Sequence, residues 1–307
     1  IILFCILCIY IITIQIIKGC TKQSFKKRVE RLHNLDVDSN IIRDRLSGVG
    51  IYYINLNKAT DRRKDIDTFI HRHGIDNIQR IEGVYGKDVK DNTYTFSDGR
   101  EIQVKNEYPS SDYTMAELGC FLSHVVALKT AYENGDEYAL ILEDDVDLNM
   151  VKVWDEGLME VIQKAPENWN IIQLVERPAA CETSGTRSLS VSQEVHAYIS
   201  STHLKKGDYV PRKSSCHLGC HAYLITRSAM FKFLESMTFL HTDTIHIKQI
   251  NVPFPIDYYV YDFFKPDTVY MTNSKFIVNN LQHKTQIQKS SIFKKFFGTY
   301  GDETQSY

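Results

Sequence analysis

A wholly apolar run of strand length, Tyr138 to Leu142, passes without a break into Glu143, Asp144, Asp145, Val146 and Asp147, four carboxylates within five residues. Just before it, Thr114-Met-Ala-Glu117 has the pattern of a helix capping box, in which the threonine side chain and the glutamate each satisfy a free backbone N–H. Leu118, Phe121, Leu122, Val125 and Leu128 then recur at helical spacing, so a helix is predicted to about Asn134, with Gly135 as its stop. An earlier unit has the same grammar. Gly50 to Asn57 is a β-rich run, Thr60-Asp61 offers a cap, Arg62 to His73 reads as helix, and Gly74 ends it. Alternating strands and helices point to an α/β fold, and in open α/β sheets ligands gather beyond the carboxyl ends of the strands. The acidic cluster stands at such an end.

The rest of the chain fits that class. Polar text with Gly83, Gly86, Gly99 and Pro109 suits short strands and loops between Ile78 and Asp112. Trp154 to Lys164 reads as helix, Asn170 to Val175 as strand, and Glu182 to Val210 as an irregular section. Cys220 to Thr226 is expected as strand, with Arg227 to Met237 the helix after it, and Pro253 to Asp257 and Thr268 to Thr272 closing the domain. No internal repeat argues for a solenoid. With 43% hydrophobic and 24% charged residues in 307, the chain can build a large core, and disorder is not its default. A formal net charge of -2 gives no overall basic field, so nucleic acid is not the expected partner.

Residues 1–17 are almost unbroken Ile, Leu, Cys, Phe and Tyr, with no charge before Lys18. They are expected to form an N-terminal hydrophobic helix, a single-pass membrane anchor in preference to a cleaved signal. Lys18, Lys22, Lys26, Lys27 and Arg28 favour a cytoplasmic placement of the domain behind them, which a more basic upstream flank would reverse, so the endoplasmic reticulum or Golgi lumen stays open. Residues 18–47 read as a stem, 48–293 as the main domain, and 294–307 as a tail.

Clustered carboxylates repel one another unless a cation compensates, and Mg²⁺ or Mn²⁺ held by one or two carboxylates plus a substrate's phosphates is a common solution. Rival readings are a solvated acidic turn and a calcium loop, for which Asp145, Asp147, Asn149 and Glu156 have EF-hand spacing while Met150 stands where glycine is required. Cys216-His217 and Cys220-His221 have zinc-like spacing, but no second pair balances them, and Cys220-His221 leads into an apolar strand.

Several segments together resemble glycosyltransferase family 25. They are Ile54-Asn55-Leu56 with Thr60-Asp61-Arg62-Arg63; Glu117-Leu-Gly-Cys120 with Ser123-His124; Leu140-Ile-Leu-Glu-Asp-Asp145; and Ala222-Tyr223-Leu224-Ile225 followed by Pro255-Ile-Asp257. The resemblance implies a GT-A-like nucleotide-sugar-binding domain with a mixed, mostly parallel central sheet, and an inverting transfer of a sugar to a hydroxyl of a glycan, lipid-linked or protein acceptor. UDP-galactose is the favoured donor, and Mn²⁺ (or Mg²⁺) the cofactor. Carried onto this chain, Asn55, Leu56, Arg62, Ser123, His124, Glu143 and Asp144 are candidate donor-binding residues. Asp144 and Asp145 are candidate metal ligands, with His283 completing the shell. Asp257 is the candidate base that takes the acceptor's proton. Glu117 is assigned to the capping box instead of to chemistry. The alternatives are a catalytically inactive binding protein of the same fold and a calcium-binding membrane-tethered adaptor.

Overall fold

The computed structural model describes residues 30–174, 209–211, 220–249 and 256–272. Strands β1 (Gly50–Asn55), β2 (Ile78–Glu82), β5 (Tyr138–Glu143), β6 (Ile171–Gln173), β7 (Tyr209–Pro211), β8 (Ala222–Thr226) and β10 (Val269–Thr272) form one sheet in the order β2-β1-β5-β8-β6-β10-β7. β1 is parallel to β2 and β5, and β10 to β6, while β8 runs antiparallel between β5 and β6, and β7 antiparallel at the edge. The mixed sheet with most strands in one direction is the architecture expected from the sequence, and it fits a GT-A-like domain. A smaller sheet pairs β3 (Thr93–Thr95) with β4 (Glu101–Asn106), and β4 with β9 (Thr244–Ile247).

Side chains alternate across a strand, so a central strand covered on both faces must be apolar at every position. That is why β5 reads as an unbroken hydrophobic run. Ala139 and Ile141, with Tyr52 and Ile54 of β1, face a core shared with helices α3 (Met115–Glu133), α5 (Arg227–Ser236) and α6 (Ile256–Asp262) and with the small sheet. Leu140 and Leu142, with Ile51 and Tyr53, face a second core built with α1 (Ser39–Leu46), α2 (Thr60–His73) and α4 (Leu158–Lys164).

Helix ends follow local chemistry. α3 carries the capping box, with Glu117 N–H donating to Thr114 Oγ1 and Thr114 N–H to Glu117 Oε2. α2 ends at Gly74 with φ 59, the left-handed cap that glycine adopts without penalty. Its start differs from the sequence reading: Ala59 is the cap, and Thr60 is already helical. The helix expected from Trp154 is also shorter: α4 begins at Leu158, with Gly157 as its cap. On the N-terminal side, α1 buries Ile42 and Leu46 completely in the second core. Packing of the folded unit therefore reaches back before residue 48, into the segment read as a stem. Residues 1–17 lie outside the described residues, and among the latter no helix is long and apolar enough to cross a membrane.

Candidate active site

The alternation that builds β5 also sorts its acidic end. Glu143 has the parity of Ala139 and Ile141 and turns to the α3 face, whereas Asp144 has the parity of Leu140 and Leu142 and turns to the α2 face. Neighbouring carboxylates thus enter opposite surroundings.

On the α2 face, Asp144 accepts from Arg62 Nη1 at 2.6 Å through one oxygen and from Asn55 Nδ2 at 2.7 Å through the other. Asn55 ends β1, Arg62 opens α2, and parallel pairing of β1 with β5 brings the strand ends together. Asn55 is held in turn by Arg80 of β2, whose Nε donates to its side-chain oxygen at 3.0 Å. All of Asn55, Arg62 and Asp144 are buried. Burial lifts the Asp144 carboxyl above its ordinary value, while Arg62 and Asn55 pull the other way. The sequence makes Arg62 a candidate for diphosphate binding, and Asp144 for metal and nucleotide. Here they bind each other, and the pair clamps the end of β5 to α2.

On the α3 face, Glu143 and Asp145 meet histidines. Backbone pairing carries the β5–β8 ladder one step past Leu142 and Ala222, with Glu143 N–H donating to His221 C=O at 2.9 Å. That register sets His221 Nδ1 3.2 Å from Glu143 Oε2 and 3.2 Å from Asp145 Oδ1. His124 of α3 lies on the other side, its Nε2 3.4 Å from Glu143 Oε1 and its Nδ1 3.1 Å from the Tyr223 hydroxyl. Cys120, one turn earlier, has its sulfur 3.9 Å from the same Glu143 oxygen. Burial opposes ionisation of Glu143, but His221 and His124 outweigh it and hold the carboxyl well below the usual carboxylate range. For His221 burial favours the neutral form, yet Glu143 and Asp145 raise it to about 10. Among the described residues, Glu143, Asp145 and His221 form one group whose ligand atoms could share a metal ion, and Cys120, His124 and Glu143 form another.

These placements decide several expectations. The solvated acidic turn is overturned, because the side chains of Glu143, Asp144 and Asp145 keep only 17%, 10% and 14% of their exposure. The calcium loop is overturned too. Its residues follow a strand, Asp147 caps the 3₁₀ segment and bonds His33, and Glu156 pairs with Lys164. Ser123 is buried, and its hydroxyl donates to Gly119 C=O at 2.6 Å and accepts from Val84 N–H at 2.7 Å. It stitches the loop after β2 onto α3, where Gly119 approaches so closely that an added Cβ would lie 2.5 Å from Val84 O. Leu56 lies against Gly83 in the same loop, since a Cβ there would sit 3.2 Å from it. His124 is fully buried and acts from within the core. Asp257 is the second residue of α6, and its side chain lies outside the described residues, as does all of His283. In sequence, His221 stands out only as half of a zinc-like pair. The other residues of that zinc-like pattern, Cys216 and His217, lie outside the described residues.

A profile of glycosyltransferase family 25 (LPS biosynthesis protein) matches residues 49–260, a stretch that contains β1 to β9 and both faces of the cluster. The chain belongs to glycosyltransferase family 25. It is 29% identical to procollagen galactosyltransferase 1-B of Xenopus laevis over 157 residues, 48% of this chain and 25% of that protein. With procollagen galactosyltransferase 2 of Mus musculus it shares 27% over 168 residues, 54% of this chain and 25% of the relative. A glycosyltransferase 25 family member of Anopheles gambiae is 29% identical over 109 residues, 35% of this chain and 18% of that protein. The match therefore spans about a quarter of the length of the first two relatives. As a family 25 member, the chain carries its acidic cluster, Cys120, His124 and His221 inside the matched region.

Proposed function

We propose that this chain is an inverting glycosyltransferase that moves a sugar, galactose in the first instance, from a nucleotide-diphosphate donor to a hydroxyl of a glycan, lipid-linked or protein acceptor. The observation that carries the reading is the partly buried group of Glu143, Asp145 and His221 at the carboxyl end of a central strand. Galactose is favoured because two of the similar proteins are named as galactosyltransferases.

Two carboxylates and an imidazole are a fitting donor set for Mn²⁺, and carboxylates with substrate oxygens for Mg²⁺. A divalent ion bound there supplies Lewis-acid stabilisation of the charge on the departing nucleotide diphosphate. Glu143, Asp145 and His221 would hold it, and binding would displace the His221 proton, since an imidazole ligates in its neutral form. His124 and Tyr223 orient Glu143 from behind. The Arg62–Asp144–Asn55 clamp keeps the strand end in place, so Asp145 is presented without rearrangement. Asp257 takes the acceptor hydroxyl's proton as the sugar is attacked from the opposite side. His283 remains a further candidate ligand, and residues 1–17 the proposed membrane anchor.

Released nucleotide, measured over a panel of sugar nucleotides with and without Mn²⁺, tests the proposal on the full chain and on Asp145→Ala. One donor should be turned over in a Mn²⁺-dependent way by the wild type and not by the variant. Turnover of no donor by the wild type, or full activity in Asp145→Ala, would reject it.

A further inference from the structure

Cys120 and His124 are four residues apart on α3 and so share one helix face, which points at Glu143 across from β5. Sulfur, imidazole nitrogen and carboxylate oxygen converge there, all within 4.8 Å of one another. The spacing has chemical meaning. Zinc bonds of about 2.0–2.3 Å in a tetrahedron put ligand atoms roughly 3.3–3.7 Å apart; Glu143 Oε1 lies 3.4 Å from His124 Nε2, inside that range, and 3.9 Å from Cys120 Sγ, a little outside it. His124 also has the outer partner that a ligating histidine needs, because Nδ1 lies 3.1 Å from the Tyr223 hydroxyl and its ring stacks on that tyrosine. That contact fixes the ring with Nε2 toward the sulfur and the carboxylate.

The two oxygens of Glu143 divide between two neighbourhoods. Oε2 faces His221 next to Asp145, a set of oxygen and nitrogen donors, and Oε1 faces His124 and Cys120, a set that includes sulfur. Thiolate selects zinc over Mn²⁺ or Mg²⁺, and a thiolate with one carboxylate neutralises a divalent charge in a buried place. We propose that Cys120, His124 and Glu143 form a second, thiolate-containing metal site that takes zinc, with Glu143 joining it to the Glu143–Asp145–His221 group. The site goes beyond the transferase reading and does not depend on sugar transfer. It would tie α3 to the end of β5 and fix the rotamer of the carboxylate that both groups share.

Cobalt(II) is the probe, because a thiolate ligand gives it a near-ultraviolet charge-transfer absorption. The full chain, in detergent and stripped of metal with a chelator, is titrated with Co²⁺ and then with Zn²⁺. The absorption should grow to saturation, be displaced by Zn²⁺, persist in Asp145→Ala and vanish in Cys120→Ser. Zinc affinity in Cys120→Ser should fall by more than the roughly 10–100-fold typical of losing an outer partner. Absence of the band in the wild type, or its survival in Cys120→Ser, overturns the proposal. Should Cys120→Ser fail to fold, alkylation of the wild type decides: Zn²⁺ should slow modification of Cys120, and an unchanged rate refutes the site. Nucleotide release measured alongside separates the two ideas. In the wild type, absence of turnover with the cobalt band present counts against the transferase reading alone, and turnover without the band counts against the zinc site alone.

Discussion

Asp144 and Asp145 are neighbours in sequence, yet one faces an arginine and an asparagine under α2, and the other a histidine beside β8. On the α2 side the positive charge is a guanidinium, which stays protonated at any ordinary pH and is locked between two elements. On the α3 side it is a histidine, whose ring would release its proton to water on binding a metal ion. Under the proposed function, the difference separates a clamp from a metal site. A carboxylate answered by arginine is committed to holding the fold, whereas carboxylates answered by histidine keep their lone pairs available for exchange.

Breaking the clamp should have the largest effect. Arg62→Ala leaves Asp144 buried without its cation, which should cost about 3–5 kcal/mol of stability, read by urea denaturation. Replacing both partners by apolar residues, Arg62→Met with Asp144→Leu, should recover most of that loss. If Arg62 instead serves a donor diphosphate, Arg62→Ala would raise the donor KM and leave the urea midpoint where it was, erasing the contrast between the faces.

The opposite signature belongs to the α3 side. Asp145→Ala should lower nucleotide release by about 10²–10³-fold, the scale of losing one group that stabilises developing charge, with the unfolding midpoint nearly unchanged because His221 keeps Glu143 as its partner. His221→Ala should lose turnover on the same scale and also lower the midpoint, since Glu143 is left without its cation. A large drop in stability without a specific loss of turnover would make this face a second clamp.

Smaller effects sharpen the boundary. Gly119→Ala forces a methyl to within 2.5 Å of Val84 O and 2.6 Å of Gly86 N, and should cost about 1–3 kcal/mol through overpacking. Because Ser123 and Val84 are joined at the same contact, thermal unfolding should register it. Thr114→Ala removes half of the α3 capping box and should cost about 1 kcal/mol. With Cys120 and His124 well inside the helix, its turnover should match the wild type, and a loss of activity would show that the helix end reaches into the site.

Legibility tracks the range of the interactions. The capping box at Thr114 and Glu117 and the left-handed Gly74 can be read directly, since each is settled within a few residues. The unbroken apolar run of β5 announces a strand covered on both faces, and the carboxylates after it announce a site. Ser123 escapes such a reading because the spacing of leucines and valines suggests a helix with one apolar stripe. In fact β1, β2, β5, α5 and α6 surround α3, and positions off the stripe are buried too. Arg62 escapes it for a related reason. Nothing local in a charge at a helix start reveals a carboxylate 82 residues away.

Sequence alone determined the α/β class, the capping box of α3, the glycine stop of α2, the family and the acidic end of β5, because periodicity, caps and motif order are properties of short stretches of chain. Tertiary structure decided which carboxylate meets an arginine and which meet a histidine. It did so through strand alternation, which sends Asp144 and its neighbours to opposite faces, and through the antiparallel register that lays His221 beside Glu143. Pairing between residues so far apart is fixed only when the whole sheet is assembled.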